Sequence, residues 1–286
     1  MKINQIVLVV ALSIVAAYAT VTLAGKPSAV SALVKETRID QVKRTGVLRC
    51  GYTTWPPFII KDPNTGKMSG VNYDVVEEMG RQLKLKIEWT AEVASGQMLS
   101  DLALNRYDMI CTLFGLTPGR SRETSFTIPF VYLPVNMYVR QDDTRFDQDP
   151  QLANKPEVNL AVLDGEFSSI GANENFPNST KVSVPQLSTA ADLFMTVATK
   201  KADAVLQDPF VFEEYNKGNP GVLRPAGNKT FRVIATGMPI PANEPAYKDM
   251  LDTTIAYLED SGFIDRVLKK YEGEIKYVRP AKNFAE

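Results

Sequence analysis

No histidine occurs anywhere in the 286 residues. That absence removes imidazole-based triads, histidine metal sites and histidine proton shuttles. Cysteine is nearly as scarce, with Cys50 and Cys111 the whole complement. Two cysteines without histidine cannot assemble a four-ligand zinc site, so no metal is expected, and nothing in the composition asks for a cofactor. Neither sign of charge is in excess, with 32 Lys+Arg against 33 Asp+Glu. Nucleic-acid binding needs a basic footprint that displaces counterions, so no nucleic-acid partner is expected. Low-complexity tracts and long linkers are missing too, and a hydrophobic content of 44% is that of a globular chain.

Long apolar runs are confined to the beginning. Behind Lys2, residues 6–24 are apolar except for Ser13, Thr20 and Thr22, and Ala17-Tyr18-Ala19 fits a signal-peptidase site. Residues 1–24 therefore read as a signal peptide, or as an uncleaved anchor, since about twenty apolar residues can span a bilayer. Either way the remainder faces an extracytoplasmic space, and a periplasmic location is expected. Cys50 and Cys111 could pair in such an oxidising compartment. Both fall inside apolar strands, however, and the reading preferred is two buried thiols packing as small hydrophobes.

What the chain does contain is a repeat. Residues 98–110 and 193–205 each run through an amphipathic helix, a basic step, an aspartate (Asp108, Asp203) and a short apolar strand. Each strand then opens into a loop with an unmatched charge: Arg120 after Thr117-Pro118-Gly119, and Asp208 before Pro209. In open α/β sheets ligands bind beyond the carboxyl ends of strands. Two such units present one cation and one anion to a shared cleft, which suits a zwitterion.

The elements around the repeat fit an α/β sheet. Strands at 47–51 and 85–90 alternate with helices at 73–85 and 97–105, the first of these carrying Val75, Val76, Met79 and Leu83 on one face. That order predicts a parallel sheet with helices on its faces. A second unit begins near Tyr138, with strands at 158–163, 181–184 and 203–206, a helix opening at Ser168 and another over 188–200. Two helices, 247–258 and 263–271, follow it. Each candidate residue also has an ordinary reading. Arg120 could be a solvated charge like Arg122, Trp55 could be core, and Asp208 before Pro209 is a good helix N-cap.

The motifs gain weight from their order. Gly51…Trp55-Pro56-Pro57-Phe58, Gly70-Val71-Asn72-Tyr73-Asp74-Val75, Asp108-Met109-Ile110, Thr117-Pro118-Gly119-Arg120, Phe126-Thr127-Ile128-Pro129-Phe130 and Asp203-Ala204-Val205 follow one another. In that order the chain, from about residue 47 to 271, resembles the family 3 extracellular solute-binding proteins, the polar amino-acid receptors of bacterial ABC importers. The resemblance implies an α/β, two-lobed periplasmic-binding-protein fold of type II with the ligand cleft between lobes. Lobe 1 is expected from 38–135 and 232–286, and lobe 2 from 136–231. It also implies a monomeric binding protein, not an enzyme, that captures an amino acid or amine by lobe closure and delivers it to an ABC permease.

Residue by residue, Arg120 matches the arginine that grips the ligand α-carboxylate, and Asp208 the acid that takes the α-ammonium. Trp55 matches the aromatic wall over the ligand. A guanidinium fork suits bidentate carboxylate binding, and indole offers a large apolar face. The chain departs from the pattern at Gly115, where the family has a hydroxyl residue, and Phe114 beside it narrows the pocket. Gly165-Glu166-Phe167 stands in place of a small Gly-Thr step, with Ser168 and Ser169 opening the helix. An acid at this entrance repels carboxylates and attracts cations, so Glu166 either reads a basic ligand side chain or turns outward. In the second case the ligand carboxylate is left to backbone N–H groups at the helix start. The expected ligand-binding set is thus Trp55, Phe114, Arg120, Glu166, Ser168 and Asp208, with Asn72 given no direct role. Two other readings are a periplasmic enzyme similar to the cyclohexadienyl dehydratases, with Glu166 as general acid, and a sensor ectodomain held by an uncleaved anchor.

Overall fold

The computed structural model describes residues 36–185, 188–228, 230–273 and 275, so the leader expected over 1–24 lies outside the described residues. Thr37 caps α1 (Arg38–Thr45), its hydroxyl accepting from the Asp40 amide at 3.3 Å, and Gly46 ends the helix in left-handed backbone at φ 68°. β1 (Val47–Tyr52) follows, then a hairpin of β2 (Ile60–Lys61) and β3 (Met68–Ser69). The carboxylate of Asp62 organises that hairpin by accepting from the Asn64 and Thr65 amides. α2 (Val71–Leu83) buries Val71, Val75, Val76 and Met79, the spacing of one helix face. β4 (Lys86–Glu92), α3 (Met98–Ala103) and β5 (Met109–Ile110) complete a parallel sheet in the order β4-β1-β5, as the βαβα pattern predicts.

The chain then passes through β6 (Phe114–Gly115), α4 (Pro118–Ser121) and β7 (Thr124–Phe126) into β8 (Val131–Arg140). A second parallel ladder is built from β9 (Asn159–Leu163), α5 (Phe167–Asn175), β10 (Thr180–Val184), α6 (Ala190–Ala198) and β11 (Ala204–Gln207). In it β10, β9 and β11 lie side by side and run parallel. After α7 (Pro209–Gly218) and β12 (Leu223–Pro225), β13 (Arg232–Gly237) and β14 (Pro239–Pro241) lead to α8 (Pro245–Asp260) and α9 (Phe263–Tyr271).

β8 joins the two regions by changing partner along its length. Residues 131–135 pair antiparallel with β13, and residues 136–139 pair antiparallel with β11. β13 continues to β6, so one sheet runs from β10 through β8 to the loop ahead of Arg120. α8 and α9 pack on α2, far back in sequence. Leu48, Val75, Met79, Leu251, Ile255 and Leu268 consequently share one core, while Tyr138, Leu193, Phe194 and Val205 anchor another. Each such buried side chain contributes about 1.5–3 kcal/mol.

The aspartates of the repeat perform one task twice. The Asp108 amide donates to the Arg49 carbonyl at 2.8 Å, and its carboxylate accepts from the Arg49 amide at 2.8 Å. The Asp203 amide donates to the Asn159 carbonyl at 2.7 Å, and its carboxylate accepts from the Asn159 amide at 2.8 Å. Arginines complete each knot: Arg38 (2.7 Å) and Arg49 (2.8 Å) on Asp108, and Arg145 (2.6 Å) on Asp203. Burial pushes the Asp203 carboxyl up, but the Asn159 amide and Arg145 outweigh it and hold the group below the usual carboxylate range. Each knot stitches the start of one strand to the end of the preceding helical unit.

Asp108 is 1% exposed, and neutralising it leaves two arginines facing an uncharged group. Asp108→Asn is expected to lower unfolding free energy by about 3–5 kcal/mol in urea titrations. Asp203→Asn, at the more open knot, is expected to cost about 1.5–3 kcal/mol. Equal and negligible losses at both positions would show that the knots are ornamental.

Candidate ligand-binding site

A cavity of about 610 Å³ lies beyond the carboxyl ends of both parallel ladders. Thr53 to Pro56 after β1, Thr112 to Gly115 after β5, Glu166 and Phe167 after β9, and Gln207 and Asp208 at the end of β11 all line it. Strand ends converge here because each knot fixes where its strand begins.

Arg120 is delivered by local sequence. Thr117 caps α4 by accepting from the Arg120 amide at 3.3 Å, and Pro118 takes the first helical position, where a missing N–H costs nothing. The half-buried guanidinium stands 5.0 Å from the Phe114 ring centroid. It donates to the Gly115 carbonyl at 3.0 Å and to the Gly165 carbonyl at 2.6 Å, spanning from the β6 loop to the turn after β9. Burial draws its pKa below the ordinary arginine value, and nearby Glu166 works against that fall. A Cβ at Gly115 would stand 3.2 Å from Ile234 Cδ1, so a side chain there would need Ile234 to give way slightly.

Asp208 caps a helix and also faces the cavity. It is 5% exposed, caps α7 by accepting from the Phe210 and Val211 amides at 3.0 Å each, and lines the cavity. Both bonds fall on Oδ1. Burial pushes its carboxyl up to about 7 despite the helix amides, and Glu166 adds to the push. Glu166 occupies the N-cap position of α5 without using its side chain as a cap. Burial raises its pKa too, while hydrogen bonds from Ser168 and Gln207 and the charge of Arg120 oppose the rise.

Five of the six expected residues, Trp55, Phe114, Arg120, Glu166 and Asp208, line the cavity. Ser168 is a correction. At 1% exposure it sits behind the wall, where its hydroxyl accepts from the Leu163 amide at 3.1 Å and donates to Glu166 at 3.4 Å. It backs Glu166 from behind the cavity wall. Trp55 is both wall and packing, its ring 4.6 Å from that of Phe58, which in turn meets Phe210 at 5.5 Å beside Asp208. Asn72 stays out of the cavity, donating to the Cys111 carbonyl at 3.0 Å.

The sequence reading did not single out Gln207, Thr112 or Tyr215. Gln207 accepts from the Asp208 amide at 2.9 Å, and the Thr112 hydroxyl accepts from the Thr53 amide at 3.1 Å. Both stand at strand ends, a signal the repeat already contained. Cys50 and Cys111 are a second correction: they form a disulfide, not two free thiols. The reason is topological. β1 and β5 are neighbours, which places the two Cα atoms 5.5 Å apart, inside disulfide range.

With this geometry in view, comparison with known proteins is decisive. The family model of bacterial extracellular solute-binding proteins, family 3, matches residues 48–274. The chain belongs to that family. Among curated relatives it is 21% identical to the L-cystine-binding protein TcyA of Bacillus subtilis, over 82% of this chain and 84% of that protein. It is 23% identical to the cyclohexadienyl dehydratase of Pseudomonas aeruginosa, over 80% of this chain and 84% of that enzyme. A solved structure of the ancestral amino acid-binding protein AncCDT-1, a precursor of cyclohexadienyl dehydratase, superposes with a TM-score of 0.70 at 22% identity, covering 82% of this chain and 99% of that one. This family 3 chain has the two-lobed, type II periplasmic-binding-protein fold. Among the described residues no helix is long and apolar enough to cross a membrane.

Two outcomes follow from the geometry of this family 3 site. A group whose folded pKa lies above its unfolded value supports the fold below the unfolded value and loses that support as pH rises through the folded one. Asp208→Asn keeps a capping side chain but removes this titration. The variant is therefore expected to gain stability relative to the wild type between pH 4 and pH 8, at about 1.4 kcal/mol for each pH unit of displacement. Ligand-free urea melts across that range check it, and a constant difference defeats it. The disulfide closes a span of 61 residues, so replacing both cysteines by serine is expected to cost about 4 kcal/mol in the same assay.

Proposed function

We propose that this chain is an extracytoplasmic receptor that traps an amino acid between its lobes and passes it to the permease of an ABC importer. The observation carrying this reading is the placement of Arg120 and Asp208, from different ladders, in the wall of one cavity. In that reading Arg120 takes the α-carboxylate, Asp208 the α-ammonium, and Trp55 and Phe114 form apolar walls. Lobe 1 comprises 38–135 with 232–286, lobe 2 comprises 136–231, and the pairing switch in β8 is the natural place for them to hinge. Residues 1–24 are the export signal or an anchor, and the working form is a periplasmic monomer. The amino-acid-binding relatives support the ligand class. The dehydratase relative shows that a similar chain can act as an enzyme, but fixed charges that neutralise a zwitterion require no catalysis.

Titration calorimetry across the common amino acids is expected to find at least one tight ligand. Arg120→Ala is expected to weaken it by at least about thirtyfold, since losing one member of a buried charge pair typically costs about 2–5 kcal/mol. Affinity is expected to fall as pH drops below about 7, because an ammonium needs Asp208 ionised. Prephenate and arogenate are expected to be returned unchanged. Undiminished binding by Arg120→Ala, or turnover of either compound, defeats this reading.

A further inference from the structure

The charges of the cavity do not balance. Among its described lining residues Arg120 is the one cation, against the carboxylates of Glu166, Asp208 and Glu214. Glu214 is exposed and paired with Lys217 at 2.9 Å, so it drops out of the account. Arg120, Glu166 and Asp208 remain, a net charge of −1 when all are ionised.

These groups do not cancel in pairs. The hydrogen bonds of the Arg120 guanidinium run to the Gly115 and Gly165 carbonyls, and no ion pair joins it to Glu166. Asp208 is partly compensated by two amides of α7. Glu166 lacks that help, since its side chain does not cap α5, and it relies on Ser168 and Gln207. Glu166 thus has no helix amides to compensate it, only these donors and the nearby charge of Arg120. An α-amino acid with a neutral side chain adds equal charges of both signs and leaves the closed cavity at −1. A desolvated net charge is costly unless a partner meets it. Without such a partner, a neutral ligand must bring a proton with it.

We infer that the ligand is an amino acid with a cationic side chain, and that Glu166 is the residue that selects it. The inference rests on the amino-acid receptor reading above and narrows it to ligands carrying one net positive charge. A volume of about 610 Å³, lined also by Tyr215, gives a long side chain room beside the charged groups. The hydroxyl of Tyr215, a residue of the cavity wall, is buried without a hydrogen-bond partner.

The test compares ligands of matched shape and different charge: arginine with citrulline, and lysine with norleucine. Calorimetry at pH 8 is expected to give each cation at least a thirtyfold advantage in the wild type. Run in two buffers of different ionisation enthalpy, it is expected to show proton uptake with citrulline and none with arginine. Arg120, Glu166, Asp208 and Tyr215 are the groups that face the ligand, with Glu214 and Lys217 at the rim. Glu166→Gln keeps size and hydrogen bonding and is expected to shrink the arginine-to-citrulline ratio to within about threefold. A wild-type ratio near one, or a ratio unchanged by Glu166→Gln, overturns the inference. Should the variant not fold, the wild-type ratio decides alone. Tight binding of glutamine or glutamate with weak binding of arginine removes the role of Glu166 and leaves the receptor reading standing. No binding of any amino acid removes both.

Discussion

Both halves of the molecule hang on a carboxylate held between a backbone amide and a guanidinium. Asp108 and Asp203 accept from the first residues of their knots, Arg49 and Asn159, while their own amides return a bond to the same residues. The pair of bonds sets the register of one strand against another at the end away from the cavity. Parallel strands rise about 3.3 Å per residue, so a register fixed at one end fixes where the other end stops. β11 ends at Gln207, directly before Asp208, and β5 ends at Ile110, from where the chain runs through β6 to α4 and Arg120. The site therefore inherits its geometry from two knots that never touch it.

Crossing between the ladders is the second constraint. β8 gives its first half to β13 and its second half to β11, so its backbone is hydrogen-bonded throughout while passing from one region to the other. Side-chain contacts also cross between the regions. They include the Arg120 bond to Gly165, the meeting of Phe58 with Phe210, and the close approach of Gly96 to the turn at Asp164 and Gly165. Beside that continuous strand, these contacts tie the two regions together. Asp74 and Tyr271, far from the cleft, tie α2 to α9 and keep the late helices on the first core.

Much of this was legible in the residues. The helical spacing of Val75, Val76 and Met79, the Thr117-Pro118 cap before Arg120 and the Asp208-Pro209 start of α7 are local signals, and local physics decided them. The strand-end rule pointed to Arg120 and Asp208, and the family resemblance added Trp55, Phe114 and Glu166, which line the same cavity. What escaped depended on neighbours distant in sequence. The disulfide required knowing that β1 lies beside β5, because burial in an apolar strand looks the same for a thiol and for half a bridge. Ser168 was misplaced because a helix can begin one residue early: with α5 starting at Phe167, its hydroxyl turns back to the Leu163 amide and away from the cavity. Gln207 went unnoticed because an amide side chain has no pattern of its own, and its value lies in bridging two acids.

That bridge bears on what the raised carboxylates are for. Burial lifts Glu166 and Asp208 alike, and a lifted carboxylate serves equally to donate a proton or to wait for a cation. The surrounding hydrogen bonds separate the two uses. A general acid is kept protonated by neighbours that accept its proton, whereas an anion is kept ready by neighbours that donate. Oδ1 of Asp208 receives two amides, and Glu166 receives the Ser168 hydroxyl and the amide of Gln207, whose own oxygen is committed to the Asp208 N–H. Each of these partners is a donor. Such an environment opposes the protonation that burial favours, and a positive charge entering the cavity relieves both groups at once.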